Sequence, residues 1–399
     1  MEKIGKILLN LRFKARIYPM ANKNSNLGAA KTAKNDEFYT QYEDIEREMN
    51  AYLEYDENVF RGKTVLLPCD DPEWSNFTKY FAQNFERFGL KKLISTSYAP
   101  ESKKIKTWEP TLFETEAPQY DEDKSKTHGK IFILDSDTNG SGRIDVNDLR
   151  WDYLEGDGDF RSEEVTKLRD EADCVITNPP FSLFREFVAW LIESNKQFTI
   201  IGNQNAITYK EIFPLIKDNR MWLGKGFNGG AAHFISPYQD IATAGDHKEG
   251  MIRVSGVMWF TNIEHGRRHQ PLQLMTMADN IKYSKHKEIK GIGYQKYENY
   301  NAIEVPFSDA IPSDYSEPMG VPITFLDKFC PEQFEILGMC ENEDLYGLRK
   351  RKYTSEECRQ AYLDKFGKKG TYDLNASGVI IIDGRREKVY QRILIRKKQ

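Results

Sequence analysis

Cys174-Val175-Ile176-Thr177-Asn178-Pro179-Pro180-Phe181-Ser182-Leu183-Phe184 is the stretch on which the reading of this chain turns. The run Cys174-Val175-Ile176 is short, β-branched and bounded by breakers, so it reads as a buried strand. Pro179 and Pro180 fix φ and offer no N–H donors. The Pro179 carbonyl is then able to point into a cleft without a ladder partner, and the Asn178 side-chain oxygen is a second acceptor close by. Phe181 adds a ring. Beyond it, Leu183, Phe184, Phe187, Val188 and Leu191 recur at helical spacing. Asn-Pro also initiates plain turns. The strand before it and the aromatic and amphipathic helix after it favour a functional reading.

Two acceptors and a ring suit a planar substrate that carries an amino group. The lone pair of an exocyclic amine such as adenine N6 is delocalised and weakly nucleophilic. Acceptors on its two protons bias the nitrogen towards tetrahedral geometry and localise that pair. This is stabilisation of a transition state by positioned dipoles, and it needs no covalent enzyme intermediate.

Working outward, the chain alternates short apolar strands with helices from Asp36 onward. Thr64–Leu67, Lys92–Ser95, Ile131–Leu134, Cys174–Thr177 and Phe198–Gly202 read as strands. Phe77–Phe88 reads as one aromatic-rich helix ended by Gly89. The pattern predicts an α/β, doubly wound sheet. After Trp259-Phe260-Thr261 the alternation fades. The expected organisation is a basic flexible arm over 1–35, a catalytic domain over 36–265 and a second region over 266–399. Met20 is the expected natural start, with 1–19 an upstream extension; the intact mass of protein made from the native gene tests this.

Composition narrows the class. The chain has 399 residues, 39% hydrophobic and 30% charged, enough for a large core. No apolar run approaches the roughly 18 residues of a membrane span. Five cysteines without paired spacing argue for a reducing compartment, so the cytoplasm is the expected location, with neither a disulfide framework nor a zinc site. The formal net charge is −4, yet residues 346–399 carry 15 Lys and Arg against 6 Asp and Glu, or +9. Lys350-Arg351-Lys352, Arg385-Arg386 and Arg396-Lys397-Lys398 are the densest parts. Local charge serves phosphate contacts; a solvated basic face is the alternative. Arg267 and Arg268 are further candidates for DNA contacts.

The string Thr177–Glu186, with Asp36-Glu37-Phe38-Tyr39-Thr40-Gln41 upstream, resembles the EcoRI-type adenine-N6 DNA methyltransferases. Cys69-Asp70-Asp71-Pro72, Gly156-Asp157-Gly158-Asp159-Phe160 and Ile207-Thr208-Tyr209-Lys210-Glu211 match as well, over about Met20 to the C-terminus. The resemblance implies a Rossmann-like sheet that uses S-adenosylmethionine, followed by a C-terminal target-recognition region. It implies catalysis by Asn178, Pro179, Pro180 and Phe181 on double-stranded DNA, with a cognate restriction endonuclease as functional partner. Phe38, Tyr39 and Thr40 are implied beside the cofactor's methionine end, and Asp159 and Phe160 near its adenine. Asp70 and Asp71, after the first strand, suit the cofactor's amino-acid or ribose part, or cap the next helix. The chain departs from the common pattern in two places. It lacks the Gly-x-Gly turn, and Ser95-Thr96-Ser97-Tyr98 stands where an acidic residue usually follows the second strand. Gly156–Phe160 also reads as a plain acidic turn.

Rival signals remain. Asp137, Asn139, Ser141, Gly142, Asp145 and Asp148 follow EF-hand loop spacing, but a strand precedes them and position 12 is Asp. An ion-free loop explains them, and no metal site is expected. Cys69 follows Pro68, as the nucleophile of cytosine-C5 enzymes does, but it lies where the cofactor is expected and reads as a small buried residue. His233, His265 and His269 show no metal spacing and receive no role. Asn-Pro-Pro-(Phe/Tyr) also serves methyltransferases of RNA amines or protein glutamine, and a DNA-binding module with a decayed fold is the non-enzymatic alternative.

Overall fold

The computed structural model describes residues 39–69, 75–99, 112–227, 231–235 and 251–398. Its centre is an eight-stranded mixed sheet. In chain order among the described residues, β1 is Tyr39–Thr40, β2 Thr64–Leu67, β3 Lys92–Thr96, β4 Lys130–Leu134, β5 Arg150–Tyr153, β6 Cys174–Thr177, β7 Gln197–Asn203, β8 Trp222–Leu223, β9 Ala231–Ile235, β10 Met251–Ser255 and β11 Val257–Thr261. The spatial order of the main sheet is β5-β4-β3-β2-β6-β7-β11-β8. Only β3, β2, β6 and β7 are mutually parallel. β2 and β6 are buried along their whole length, as central strands covered on both faces must be.

The sheet is consistent with a methyltransferase fold, though it is not wound by helices throughout. β4 turns back antiparallel on β3, and β5 on β4. β11 runs antiparallel between β7 and β8. The single helix expected over Phe77–Phe88 is two, Asn76–Gln83 and Phe85–Phe88. Asn84 divides them: its side-chain amide and its backbone N–H both donate to the Tyr80 carbonyl, at 2.9 and 3.2 Å, which ends the first helix. Gly89 closes the second in the left-handed region (φ +63°).

β1, β9 and β10 form a small antiparallel sheet, with Thr40 opposite Phe234. The C-terminal region builds β12 (Ile303–Glu304), β13 (Met319–Pro322), β14 (Phe334–Met339), a ribbon of β15 (Val379–Ile382) and β16 (Arg385–Lys388), and β17 (Arg392–Lys397). β12, β13, β17 and β14 make a four-stranded sheet in that order. One apolar cluster runs from Leu66, Val175 and Phe260 in the main sheet to Met319, Phe334 and Ile393 beyond it. The core is therefore continuous across the boundary drawn from sequence at 265/266.

Candidate active site at the switch point of the main sheet

From β2 the chain moves outward one way through β3, β4 and β5, then returns to β6 on the other side of β2. The carboxyl ends of β2 and β6 therefore flank the switch point, where open α/β sheets take their ligands. The Thr177 hydroxyl, at the end of β6, donates to the Pro68 carbonyl just past β2 and clasps the two ends together. Sequence reasoning did not assign Thr177 this role; a polar residue ending an apolar strand was the signal. Cys69 follows with φ +66°, half-buried rather than fully buried.

Asn178 lies half-buried directly after β6, Pro179 is buried and Pro180 half-buried. The Pro180 carbonyl accepts from the Leu183 N–H at 2.9 Å, whereas the Pro179 carbonyl takes no hydrogen bond among the described residues. Phe181 opens a short 3-10 turn and packs against the cluster of Ile45, Trp259 and their neighbours. The helix Phe184–Ser194 follows, its Phe184 ring 5.2 Å from Phe260. A Cβ on Gly202 of β7 would lie 2.3 Å from that ring, so Gly202 lets the helix dock and carry the Asn-Pro-Pro-Phe turn. Arg185 lies over Tyr209 at 4.7 Å, joining two of the stretches singled out from sequence.

β1 closes the site from the side. The Asn178 Nδ2 donates to the buried Thr40 hydroxyl at 3.4 Å, and the Asn76 Nδ2 to the Thr40 carbonyl at 2.8 Å. This bond turns the Asn178 amide nitrogen towards Thr40 and its oxygen, which can only accept, the other way. Tyr39, half-buried, pairs with Ile235. Phe38, Asp70 and Asp71 lie outside the described residues.

The Gly156–Phe160 segment reaches the same edge one strand further out. Ala99 N–H donates to the Asp157 carbonyl at 2.7 Å, and Gly129 N–H to the Gly156 carbonyl at 2.9 Å. A Cβ on Gly158 (φ +82°) would stand 2.1 Å from the Ser97 carbonyl oxygen, so only glycine allows this approach. Burial raises the Asp159 carboxyl, but its hydrogen bonds from Arg161 outweigh that and hold it below the usual range. The Phe160 ring is enclosed by Phe187 and Trp190 at 4.9 and 5.6 Å. At the end of β3 the Thr96 hydroxyl is buried with no hydrogen-bond partner among the described residues.

Other candidates resolve into structure. Asp137 accepts from Gly140, Ser141 and Gly142, and Asp148 from Thr138, Asn139 and Asp145, so backbone amides occupy this loop's carboxylates. No metal-ligating cluster occurs among the described residues. Arg267, a candidate for DNA contacts, binds the Lys225 carbonyl and Asp327, each at 2.5 Å, and stays about a third exposed. Arg268 is buried over Trp222 at 3.8 Å and ion-pairs with Glu264 at 3.0 Å.

A strand-end Asn-Pro-Pro-Phe turn at the switch point of a mixed α/β sheet is the architecture of an amino-group methyltransferase. The family described as "Adenine-specific methyltransferase EcoRI" matches residues 26–398, and the chain belongs to it. It is 41% identical over 319 residues to Type II methyltransferase M.EcoRI of Escherichia coli, covering 79% of this chain and 89% of that protein. Type II methyltransferase M.MpnI of Mycoplasma pneumoniae is 34% identical, over 78% of this chain and 85% of its own. Type II methyltransferase M.MgeORF184P of Mycoplasma genitalium is 31% identical over 93% and 98%. No solved structure matches the chain.

Proposed function

We propose that this chain methylates adenine N6 within a short sequence of double-stranded DNA, using S-adenosylmethionine as donor. The carrying observation is the paired acceptors at the end of β6. The Pro179 carbonyl takes no hydrogen bond among the described residues, and the bond from the Asn178 amide nitrogen to Thr40 supports a pose in which the amide oxygen would face the substrate. The two acceptors take the N6 protons and localise its lone pair, while Phe181 stacks on the base. A duplex hides N6, so the nucleotide is turned out of the stack, at a cost of a few kcal/mol. The proton leaving N6 goes to solvent.

The switch-point edge fits a polar ligand, because the Thr96 hydroxyl is orphaned there. Tyr39, Thr40 and Asp159 would hold S-adenosylmethionine, with Phe160 behind Asp159 and Phe38, Asp70 and Asp71 completing the set. When bound, it supplies the activated methyl group. A restriction endonuclease of the same specificity is the functional partner this reading implies. The test is transfer of label from S-adenosylmethionine to unmethylated plasmid DNA, with nucleoside analysis and mapping. N6-methyladenine confined to one short sequence is expected. Label in RNA or protein but not DNA overturns the substrate, and absence of cofactor binding overturns the enzymatic reading.

A further inference from the structure

The β15–β16 ribbon has a feature that the fold itself does not use. Its strands pair Ile382 with Arg385 and Ile381 with Arg386 around Asp383-Gly384. Both turn residues are left-handed, at φ +50° and +74°, as in a tight two-residue hairpin. The foot is pinned: Val379 N–H donates to Asn299 Oδ1 at 2.9 Å, Glu298 N–H to the Val379 carbonyl at 2.8 Å, and Arg386 ion-pairs with Glu298 at 2.8 Å. Val379 and Ile380 are buried, but Ile381 and Ile382 are 44% and 47% exposed. Successive strand residues face opposite ways. Ile381 and Ile382 are therefore exposed on opposite faces of the ribbon, while Arg386, Glu387 and Lys388 hold β16 to the body.

The surroundings are basic. Arg351 also pairs with Glu298, which sets the turn Arg349–Lys352 against the ribbon's foot. That turn lines a cleft of about 610 Å³. Arg351, Arg386 and Arg396 are spent on Glu298, Glu357 and Glu335. Lys350, Lys352 and Arg385 are exposed and take no ion pair among the described residues. Exposed Ile381 and Ile382 beside Arg385, with Lys350 and Lys352 at the ribbon's foot and a single carboxylate, Asp383, at the turn, fit an anionic polymer with an apolar interior. Strands about 4.8 Å apart, with their side chains, match the roughly 12 Å major groove of DNA and exceed the roughly 6 Å minor groove.

We propose that the β15–β16 ribbon enters the major groove of the substrate duplex. Ile381 and Ile382 lie against base edges there, with Lys350, Lys352 and Arg385 on the flanking phosphates. The proposal rests on the reading of duplex DNA as substrate. Methyl transfer to plasmid DNA by the full chain, wild type against I381S/I382S, tests it, with thermal midpoint and S-adenosylmethionine binding as controls. The double variant is expected to raise KM for DNA roughly tenfold, with kcat at saturating DNA and both controls little changed. Lys350→Ala, Lys352→Ala and Arg385→Ala should each flatten the log–log salt dependence of binding by about one. Wild-type KM and salt slopes in all these variants overturn the ribbon's role while leaving the DNA substrate intact. Self-association abolished by I381S/I382S with DNA affinity unchanged overturns it in favour of a protein contact. A wild-type chain that transfers nothing to DNA removes the substrate reading, and the ribbon's role falls with it.

Discussion

The central strands β2 and β6 of the main sheet and the C-terminal four-stranded sheet keep their polar groups in opposite places. In the main sheet, β2 and β6 are buried end to end and apolar but for Thr64 and Thr177. The polar contacts gather where these strands stop, at Thr177, Asn178 and Thr40. In the C-terminal sheet a charge pair is inside. Glu304 on β12 meets Arg392 on β17 at 2.6 Å, each less than a tenth exposed, and Tyr297 donates to the same carboxylate. The first arrangement gathers its polar groups at the strand ends, where the proposed chemistry lies. The second uses them to fix how strands distant in sequence assemble.

Breaking the internal pair should produce the largest effect. Arg392→Met strands the Glu304 carboxylate and is expected to lose about 3–5 kcal/mol of stability in urea unfolding. Adding Glu304→Leu should recover most of it; no recovery would show that the pair has no role as a pair. At the strand ends the cost should fall on rate. Asn178→Ala is expected to lower kcat about 10²–10³-fold with folding and cofactor binding retained. Unchanged turnover in that variant removes the proposed chemistry.

Glu48 sharpens the contrast from inside the main-sheet half. It is buried, accepting from the Tyr52 hydroxyl at 2.6 Å and from the Lys225 and Gly226 N–H groups at 3.1 Å. Burial pushes its carboxyl up from the usual 4.5 to about 7. The folded state thus holds a proton that the unfolded chain releases. The resulting stability is full below about pH 4.5 and is lost as pH rises through about 7, at up to roughly 1.4 kcal/mol per pH unit. Glu48→Gln should flatten that part of the stability–pH curve; an identical slope would show that Glu48 is not its source. The smallest effect belongs to Thr40. Thr40→Val should lower kcat roughly tenfold, the worth of one orienting hydrogen bond, and Thr40→Ser should restore it. Equal losses in both would assign Thr40 to packing.

Legibility followed the same division. Thr64–Leu67 and Cys174–Thr177 were readable because strands buried on both faces are continuous apolar runs. The Asn178–Phe181 turn was readable because an apolar strand precedes it and an aromatic and an amphipathic helix follow it. Glu48 was missed, although it shares the stripe of Ile45, Met49 and Tyr52 at helical spacing. The basic C-terminal stretch was visible as charge, but sequence had no means of sorting its members. Arg351 and Arg386 look like Lys350 and Arg385 until Glu298 is seen between them.

By itself, then, the sequence determined the α/β character, the central strands and the Asn-Pro-Pro-Phe turn, because backbone restriction and apolar periodicity act over a few residues. Tertiary structure alone decided that β4 and β5 turn back antiparallel and that Thr40 meets Asn178 across 138 positions. It alone decided that Arg267 pairs with Asp327, that Arg268 is buried over Trp222, and that Ile381 and Ile382 are left exposed. Those outcomes depend on which distant surfaces share one core, and no local propensity encodes that.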